Sequence, residues 1–358
     1  MHTAIAHEWI SARAGSEKVF EALADIYPQA DLYSLTHTPG VPLETQGRPI
    51  ETSFIDRVDF LRDNRNFSLP LMPLAWRMLG KHNQYDRVLT SSHACVKGFR
   101  PGRSALHFCY VHAPMRYVWN PEIDARASSP FLRPARAALK SWDLQSTRWV
   151  DSFAANSSTV AARIAQIYDR EAVVIPPPVD VDFFAKDLGA AQREGLVAVG
   201  RLIPYKGFDL AIRIAHSLNE QLTIVGRGPM QTNLRSLAAE LGANVTFYPR
   251  ASDTELRHLF RASRLLLFPT VEDFGIIPVE AQAAGTPVVG PAQGGLLDTV
   301  IQGKTGVLSS SLSLDDMVDA TRTALDHAWE QEACLANART FSRDAFSARV
   351  QDWVSSIG

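Results

Sequence analysis

Long apolar runs, paired cysteines and an excess of charge are all missing from this 358-residue chain. No run approaches the roughly 20 apolar residues that a membrane-spanning helix needs. The 36 Lys and Arg residues nearly balance the 38 Asp and Glu residues, which argues against a general nucleic-acid-binding protein. Cys95, Cys109 and Cys334 show no CxxC spacing, which predicts a reducing cytoplasm and argues against a structural zinc site.

Several catalytic and targeting signals are missing as well. The chain has no GxSxG sequence, and its Gly303-Lys304-Thr305 lacks the first glycine of a P-loop because Asp298 stands there, so the serine hydrolase and P-loop interpretations are set aside. Gly226-Arg227-Gly228 begins like a dinucleotide fingerprint, but Gln231 replaces its third glycine. Met1-His2-Thr3 leads directly into an apolar strand without a basic segment, which predicts a cytoplasmic protein without a secretory signal.

The chain does contain a regular alternation of short apolar strands and helices. Its length predicts two domains, each with its own core, and the alternation predicts an α/β fold with parallel sheets. Pro176-Pro177-Pro178 predicts a stiff linker. We therefore expect an N-terminal domain at 1–175, a second domain at 176–340 and a final helical segment at 341–358.

The stretch Phe268–Gly290 is the most informative part of the second domain. A buried strand leads into a polar loop with Glu272, and a helix with Pro278 in its first turn follows and ends at Gly285. The backbone N–H groups of Phe274, Gly275, Ile276 and Ile277 are predicted to cluster at the helix N-terminus, where a phosphate or sugar oxygen is favoured. Glu272, before the helix, and Glu280, expected in its first turn, could accept hydrogen bonds from hydroxyls of one extended ligand. The alternative is an ordinary βαβ unit in which Glu280 complements the helix dipole.

Two histidines are candidate site residues in the first domain. A predicted strand ends at His112 and runs into Ala113–Tyr117, at the sheet edge where ligands bind in open α/β folds. His93 follows Ser91-Ser92. The alternatives are that His112 bonds only to backbone and that the two serines cap a helix.

Residues 126–148 predict a basic amphipathic helix. The segment contains five basic residues but only one acidic residue, Asp143, and large apolar residues lie between them in the sequence. The cations are Arg126, Arg133, Arg136, Lys140 and Arg148. Such a helix either contacts anionic lipid or packs its apolar stripe on the sheet and leaves a solvated basic face.

Together these residues resemble a known family. Gly200-Arg201-Leu202 with Lys206-Gly207, the turn from Glu272 to Glu280, and Ala284–Val289 resemble the GT-B retaining glycosyltransferases of family 4, over nearly the whole chain. His112–Tyr117, Ser91-Ser92-His93 and the Pro-Pro-Val-Asp linker resemble the bacterial mannosyltransferases of O-antigen and exopolysaccharide assembly. The resemblance implies two Rossmann-like, doubly wound domains facing a central cleft, with the C-terminal helix returning to the N-terminal domain.

The resemblance also implies residue roles. Arg201 and Lys206, which otherwise read as surface charge, are expected to clamp the donor diphosphate without a metal, and Glu272 to bind donor-sugar hydroxyls. His112 is expected to contact the sugar near the reacting carbon. The other donor-binding residues implied are Gly15, Gly200, Phe274, Gly275, Ile276, Ile277 and Glu280, of which Glu280 takes the ribose. Ala14 stands where a second glycine is common. On the acceptor side the implied residues are His93, Arg116 and Tyr117.

The implied activity is transfer of a hexose, with mannose favoured, from a nucleotide diphosphate sugar, with GDP-mannose favoured, with retention of configuration and without a cofactor. The leaving diphosphate helps to deprotonate the acceptor, and domain closure excludes water. The acceptor expected is a glycan or a polyprenyl-diphosphate-linked oligosaccharide in cell-surface polysaccharide or lipopolysaccharide synthesis, with peripheral contact to the inner face of the plasma membrane through 126–148. The alternatives are a nucleotide-sugar 2-epimerase of the same fold and a non-catalytic nucleotide-sugar-binding protein.

Overall fold

A computed structural model describes residues 1–102, 104–119, 133–186 and 192–357. The chain forms two compact units, of which the first joins Met1–Pro178 to the residues from Phe346 onward. The second unit is Val179–Ala345. In the sequence the change of unit therefore comes directly after the three prolines.

The first unit is built on a parallel sheet. Its strands are β1 (Thr3–His7), β2 (Asp31–Ser34), β3 (Ile50–Thr52), β4 (Arg87–Ser92), β5 (Leu106–Val111), β6 (Ser152–Ala155) and β7 (Ala172–Val174). In the described residues their order is β3-β2-β1-β4-β5-β6-β7. Strand β2 lies on one side of β1, and β4 lies on the other side. The direction in which successive strands are added to the sheet, its direction of growth, therefore reverses between β1 and β4. This reversal is where an open α/β sheet forms its binding crevice.

Helices cover the first sheet. They are α1 (Gly15–Ile26), α2 (Asp59–Asp63), α3 (Arg65–Ser68), α4 (Met72–Met78), α5 (Arg116–Trp119), α6 (Arg133–Ser146) and α7 (Ser158–Tyr168). Pro70 and Pro73 lie where a 3-10 turn over Leu69–Leu71 joins α3 to α4, so this region is divided into short helices.

The second unit repeats the plan. Its strands are β8 (Leu196–Val199), β9 (Leu222–Val225), β10 (Val245–Tyr248), β11 (Leu265–Leu267), β12 (Val288–Pro291) and β13 (Gly306–Ser309), in the order β10-β9-β8-β11-β12-β13. Its helices are α8 (Val181–Ala185), α9 (Phe208–Leu218), α10 (Gln231–Leu241), α11 (Asp253–Ala262), α12 (Ile276–Ala283), α13 (Leu296–Thr299), α14 (Leu314–Asp326) and α15 (Gln331–Arg339). The direction of growth reverses between β8 and β11.

The last helix, α16 (Arg343–Ser355), packs on the first unit. Phe346 and Trp353 are buried in the core that also contains Ile5 of β1. The indole N–H of Trp353 donates to Ser152 Oγ at 2.8 Å. The predicted fold of two doubly wound α/β domains with a returning C-terminal helix is confirmed.

Candidate functional site

The loops after β8 and β11 carry the predicted donor-binding residues of the second unit. Strands β8 and β11 are hydrogen-bonded neighbours at the point where the sheet reverses its direction of growth. Arg201 and Lys206 follow β8, and Glu272 follows β11. Side chains that are far apart in sequence therefore meet at the carboxyl edge of the sheet, where such folds bind ligands.

Gly207 allows these two loops to touch. Its φ is +66°, and a Cβ built on it would lie 2.1 Å from the Pro269 carbonyl oxygen. The Thr270 hydroxyl donates to the Tyr205 carbonyl at 2.8 Å beside this contact. The glycine after Lys206 is therefore needed for conformation and for space, and it places Lys206 against the loop that carries Glu272.

Lys206 Nζ forms an ion pair with Glu272 Oε1. The two side chains are 12% and 25% exposed, so the pair is partly shielded from water. Arg201 is exposed. The sequence suggests separate roles for Lys206 and Glu272, and it does not suggest that they pair with each other.

A third loop packs against the Glu272 loop, and its residues are not among the predicted site residues. Gly294 and Gly295, after β12, lie so close that an added Cβ would stand 2.4 Å from the Glu272 carbonyl oxygen and 2.0 Å from the Phe274 carbonyl oxygen, respectively. The Gly295 N–H donates to the Glu272 carbonyl at 2.8 Å. The adjacent glycine pair after an apolar strand is the only sequence signal for this packing.

Helix α12 begins directly after Glu272–Gly275. Gly275 is its N-cap, with φ +89°, and Ile276 and Ile277 are its first two residues. The first N–H groups of a helix have no intrahelical acceptor, so this end suits an anionic or polarised oxygen. The helix ends before Gly285, whose φ is +74°, as the sequence predicts.

The expected position of Glu280 is corrected by the structure. Because the left-handed Gly275 starts the helix at Ile276, Glu280 is the fifth residue and lies beyond the first turn. The dipole acts mainly within that first turn, so dipole compensation does not explain this carboxylate. Glu280 is only 8% exposed and interacts with other groups of the protein.

The loop Gly226–Gly228 packs on the loop after β8. A Cβ on Gly226 would lie 1.8 Å from the Gly200 carbonyl oxygen, and one on Gly228 would lie 2.3 Å from the Leu202 carbonyl oxygen. The Leu202 N–H donates to the Arg227 carbonyl at 2.9 Å. These two glycines therefore allow the close packing that positions Gly200 and its neighbours. This packing explains why glycines occur here although the dinucleotide fingerprint is incomplete.

In the first unit, a serine links two histidines across the sheet reversal. Ser91 Oγ of β4 lies 3.0 Å from His7 Nδ1 at the end of β1. The same oxygen lies 2.7 Å from His112 Nε2, just after β5. Ser91 therefore does not cap a helix, and His112 has a side-chain partner.

Glu17 determines which way this chain of hydrogen bonds runs. Its Oε1 lies 3.9 Å from His7 Nε2, and this carboxylate favours a proton on Nε2. Burial acts to raise the pKa of Glu17, but nearby His7 and the Ser16 hydroxyl hold this pKa below its ordinary value. When the only ring proton of His7 is on Nε2, its Nδ1 accepts from the Ser91 hydroxyl, and Ser91 Oγ accepts from His112 Nε2. This assignment leaves Nδ1 of His112 as a hydrogen-bond acceptor.

His112 is a neutral imidazole at physiological pH. Burial lowers its pKa to about 3, with a smaller contribution from His7. Burial also lowers the pKa of His93 well below its ordinary value. The ring centroids of His93 and His112 are 6.1 Å apart, and His93 Nδ1 is buried without a hydrogen-bond partner among the described residues.

A buried carboxylate fixes the loop that follows His93. Glu8 is fully buried, and its Oε1 accepts from the Ala94 and Val96 N–H groups, each at 2.8 Å. Below it, Lys97 Nζ lies 2.8 Å from Asp143 Oδ1 of α6. This network attaches the loop to β1 and to α6.

The remaining predicted residues of the first unit lie at helix starts. Gly15 is the first residue of α1, after Ala14 as N-cap, so the expected glycine loop is a helix N-terminus. Arg116 is exposed and begins α5. Tyr117 is in α5, but its side chain lies outside the described residues. In the basic segment, residues 126–132, with Arg126, and the side chain of Arg133 also lie outside the described residues.

Two family models match the chain. Residues 14–183 match the model described as Glycosyltransferase Family 4, and residues 181–341 match the model described as Glycosyl transferases group 1. The D-inositol 3-phosphate glycosyltransferases of Mycobacterium bovis and Mycobacterium tuberculosis are 42% identical over a 172-residue alignment that covers 43% of this chain. The match covers 35% of each relative, so the chain spans about a third of the length of these curated relatives.

Solved structures with the same fold cover the whole chain. Sucrose-phosphate synthase from Thermosynechococcus elongatus has a TM-score of 0.78 and 18% identity, with 100% of this chain and 99% of that one covered. The lipopolysaccharide outer core galactosyltransferase WaaB has a TM-score of 0.73 and 16% identity, with both chains fully covered. HepE from Anabaena, in complex with UDP and glucose, has a TM-score of 0.72 and 18% identity, with 99% and 100% covered. At these identities the likeness shows the fold alone.

Among the described residues, no group of three or more His, Cys, Asp or Glu side chains could hold a metal ion. None of the described helices is both long enough and apolar enough to cross a membrane.

Proposed function

We propose a function from the premise that this chain consists of a family 4 glycosyltransferase domain followed by a group 1 glycosyltransferase domain. On this premise, the chain transfers a hexose from a nucleotide diphosphate sugar to a hydroxyl acceptor. The observation that carries the proposal is the pairing of Lys206 with Glu272 beside the N-terminus of α12. A cation, a carboxylate and free helix N–H groups at one sheet edge are the groups that a sugar diphosphate requires.

The second unit is proposed to bind the donor. Lys206 and Arg201 bind the diphosphate and stabilise the charge that develops on it as the sugar leaves. Glu272, released from Lys206, then accepts hydrogen bonds from sugar hydroxyls. Gly275, Ile276 and Ile277 offer backbone N–H groups, Gly200 and Phe274 border them, and Glu280 binds the ribose.

The first unit is proposed to bind the acceptor and to supply two contacts to the donor. His112 is neutral, and its Nδ1 accepts a hydrogen bond from a donor-sugar hydroxyl near the reacting carbon. Gly15, at the start of α1, offers a backbone N–H to the diphosphate. His93, Arg116 and Tyr117 bind the acceptor.

Transfer is proposed to retain the anomeric configuration without a cofactor. The leaving diphosphate accepts the proton of the attacking acceptor hydroxyl on the same face of the sugar, and no carboxylate serves as a covalent nucleophile. The donor favoured by the sequence resemblance is GDP-mannose. The acceptor proposed is a glycan or a polyprenyl-diphosphate-linked oligosaccharide of a cell-surface polysaccharide, at the cytoplasmic face of a membrane.

A donor panel tests the proposal. The protein is incubated with GDP-mannose, UDP-glucose, UDP-galactose or UDP-N-acetylglucosamine, each with and without a lipid-linked oligosaccharide extract. We expect the nucleoside diphosphate and a glycosylated acceptor only when both substrates are present. An epimerised nucleotide sugar from donor alone would favour the epimerase, and donor binding without turnover on any acceptor would favour a binding protein.

A further inference from the structure

Helices α3 and α4 carry two apolar faces, and only one of them is buried. The backbone is right-handed helical at Ser68, Leu69, Leu71 and Met72, so α3, the 3-10 turn and α4 follow one another without an extended residue between them. The buried side chains of this run are Ser68, Met72, Ala75 and Trp76, and Leu79 directly after it is also buried. These side chains attach the run to the first unit.

The second face lies one residue earlier with the same spacing. Phe67 is 63% exposed, Leu74 is 51% exposed and Met78 is 48% exposed, with Leu71 half-buried between them. The ring of Phe60, itself 56% exposed, packs on Phe67 with centroids 5.2 Å apart. We call Phe60, Phe67, Leu74 and Met78 the outer apolar face. A single exposed apolar side chain is ordinary, but three at helical spacing with a fourth packed on them mark an interaction surface.

The charges around Phe67, Leu74 and Met78 are positive, whereas Asp59 and Asp63 beside Phe60 form ion pairs with Arg62. No acidic residue occurs between Asp63 and Asp86. Arg77 is exposed on α4 and Lys81 is exposed in the turn directly after α4, whereas Arg65 lies over the Trp9 ring at 4.9 Å. Large apolar side chains flanked by cations suit the boundary between anionic headgroups and acyl chains. A second copy of the chain would bring the same cations together in a two-fold contact, which opposes that occupant.

In the described part of the basic segment, the apolar face of the helix is packed in the core of the first unit. On α6, Leu139 is buried, and Trp142 packs so closely on Gly98 that an added Cβ would lie 2.9 Å from its ring. Asp143 is buried beside Lys97. Among the described side chains of α6, Leu144 is the exposed large apolar one.

We propose that the outer apolar face, with Arg77 and Lys81, docks this protein on an anionic lipid surface. Apolar side chains enter the interface while the two cations meet anionic headgroups. The proposal gives a location to the membrane contact in the proposed function. It needs no sugar donor, so vesicle binding and sugar transfer can fail independently.

The test is flotation of the full chain with phosphatidylcholine vesicles that contain or lack phosphatidylglycerol. We expect binding that requires phosphatidylglycerol. Because each cation near the surface contributes roughly a fivefold factor, Arg77→Gln with Lys81→Gln should weaken binding about twentyfold. Leu74→Gln with Met78→Gln should weaken it at least as much. All four positions are exposed, so thermal unfolding and nucleotide binding should match the wild type.

The matched control is Leu144→Gln on α6, which should bind vesicles like the wild type. Loss of binding in this control, or wild-type binding by the Leu74→Gln, Met78→Gln variant, would overturn the assignment. Equal binding to both vesicle types would contradict the role of the cations. Light scattering that shows a dimer abolished by Leu74→Gln and Met78→Gln would assign the face to a second copy instead.

Discussion

Lys206 Nζ is bound to the carboxylate of Glu272, 66 residues further along the chain. The cation expected to hold the diphosphate therefore neutralises the carboxylate expected to hold the sugar. In the proposed function, a donor exchanges this pair for two sets of contacts, from its phosphates to Lys206 and from its sugar hydroxyls to Glu272. The pair thus keeps both side chains in position while no donor is bound.

Replacing Lys206 by Ala should weaken nucleoside diphosphate binding about 10- to 100-fold. A hydrogen bond to a charged group contributes about 1.5 to 3 kcal/mol, and Arg201 remains to hold the anion. Isothermal titration calorimetry with GDP and UDP measures the loss. The control is Lys304→Ala, which removes an exposed lysine from the same unit. Equal affinities for Lys206→Ala and the wild type would refute the diphosphate contact.

Glu272→Gln separates sugar recognition from nucleotide binding. The amide keeps the shape of the side chain but can no longer accept hydrogen bonds at both of its ends, so transfer should fall about 100-fold or more. Nucleoside diphosphate affinity should be at least as high as in the wild type, because the substitution removes the carboxylate that competes with the phosphates for Lys206. Transfer that persists at the wild-type rate would show that Glu272 has no role in it.

Ser91→Ala interrupts the link from His7 to His112. The substitution removes one oxygen, which should leave the fold intact and allow the His112 ring to change tautomer. We expect kcat to fall about tenfold with little change in KM for the donor. Histidine ring nitrogen shifts measured by NMR should show the tautomer change directly.

The control for this substitution is Ser92→Ala, because successive strand residues point to opposite faces of the sheet. Unchanged His112 ring nitrogen shifts in Ser91→Ala would contradict the tautomer argument even if kcat falls.

Much of this arrangement could be predicted from the sequence. The buried parallel strands read as short apolar runs, and the glycines and prolines around Glu272 fixed the turn and the helix. The partners could not be predicted, because they depend on which strands become neighbours. His7 and Ser91 are 84 residues apart in the chain and meet only at the reversal between β1 and β4. In the same way, the need for Gly295 arises from the carbonyl of Phe274, which lies in a different loop.

Acid should destabilise the first unit partly through His107. This buried ring binds the Trp149 carbonyl and the Thr90 hydroxyl, each at 2.9 Å, and burial lowers its pKa to about 4. In the unfolded chain His107 takes up a proton near pH 6.5, whereas in the folded unit it does so only near pH 4. Protonation between these values therefore favours the unfolded chain, and stability is lost as the pH falls through this window. The expected loss from this group is about 2 kcal/mol between pH 7 and pH 5.

Urea unfolding followed by tryptophan fluorescence measures this effect, because six of the seven tryptophans lie in the first unit. His107→Gln should lower the stability at pH 7 and flatten its dependence on pH, while His93 and His112 maintain part of the slope. An identical slope in the variant would exclude His107 as a source of the acid sensitivity.

Gly207→Ala should destabilise the second unit more than Gly303→Ala. Both glycines have positive φ, +66° and +71°, so each substitution carries a conformational cost of about 1 to 2 kcal/mol. Only Gly207 also faces a backbone oxygen, at 2.1 Å from the added Cβ, whereas nothing lies within 4 Å at Gly303. The difference in thermal stability between the two variants isolates the effect of the close approach at Gly207. Equal losses of stability would show that this approach has no effect.

The most direct test of the account is a crystal structure of the protein with its nucleotide sugar. The account predicts the diphosphate within hydrogen-bond distance of Lys206 Nζ and the Arg201 guanidinium, the sugar hydroxyls on Glu272, and the pair between Lys206 and Glu272 broken. A bound donor that leaves this pair intact, or a diphosphate held by other residues, would contradict it.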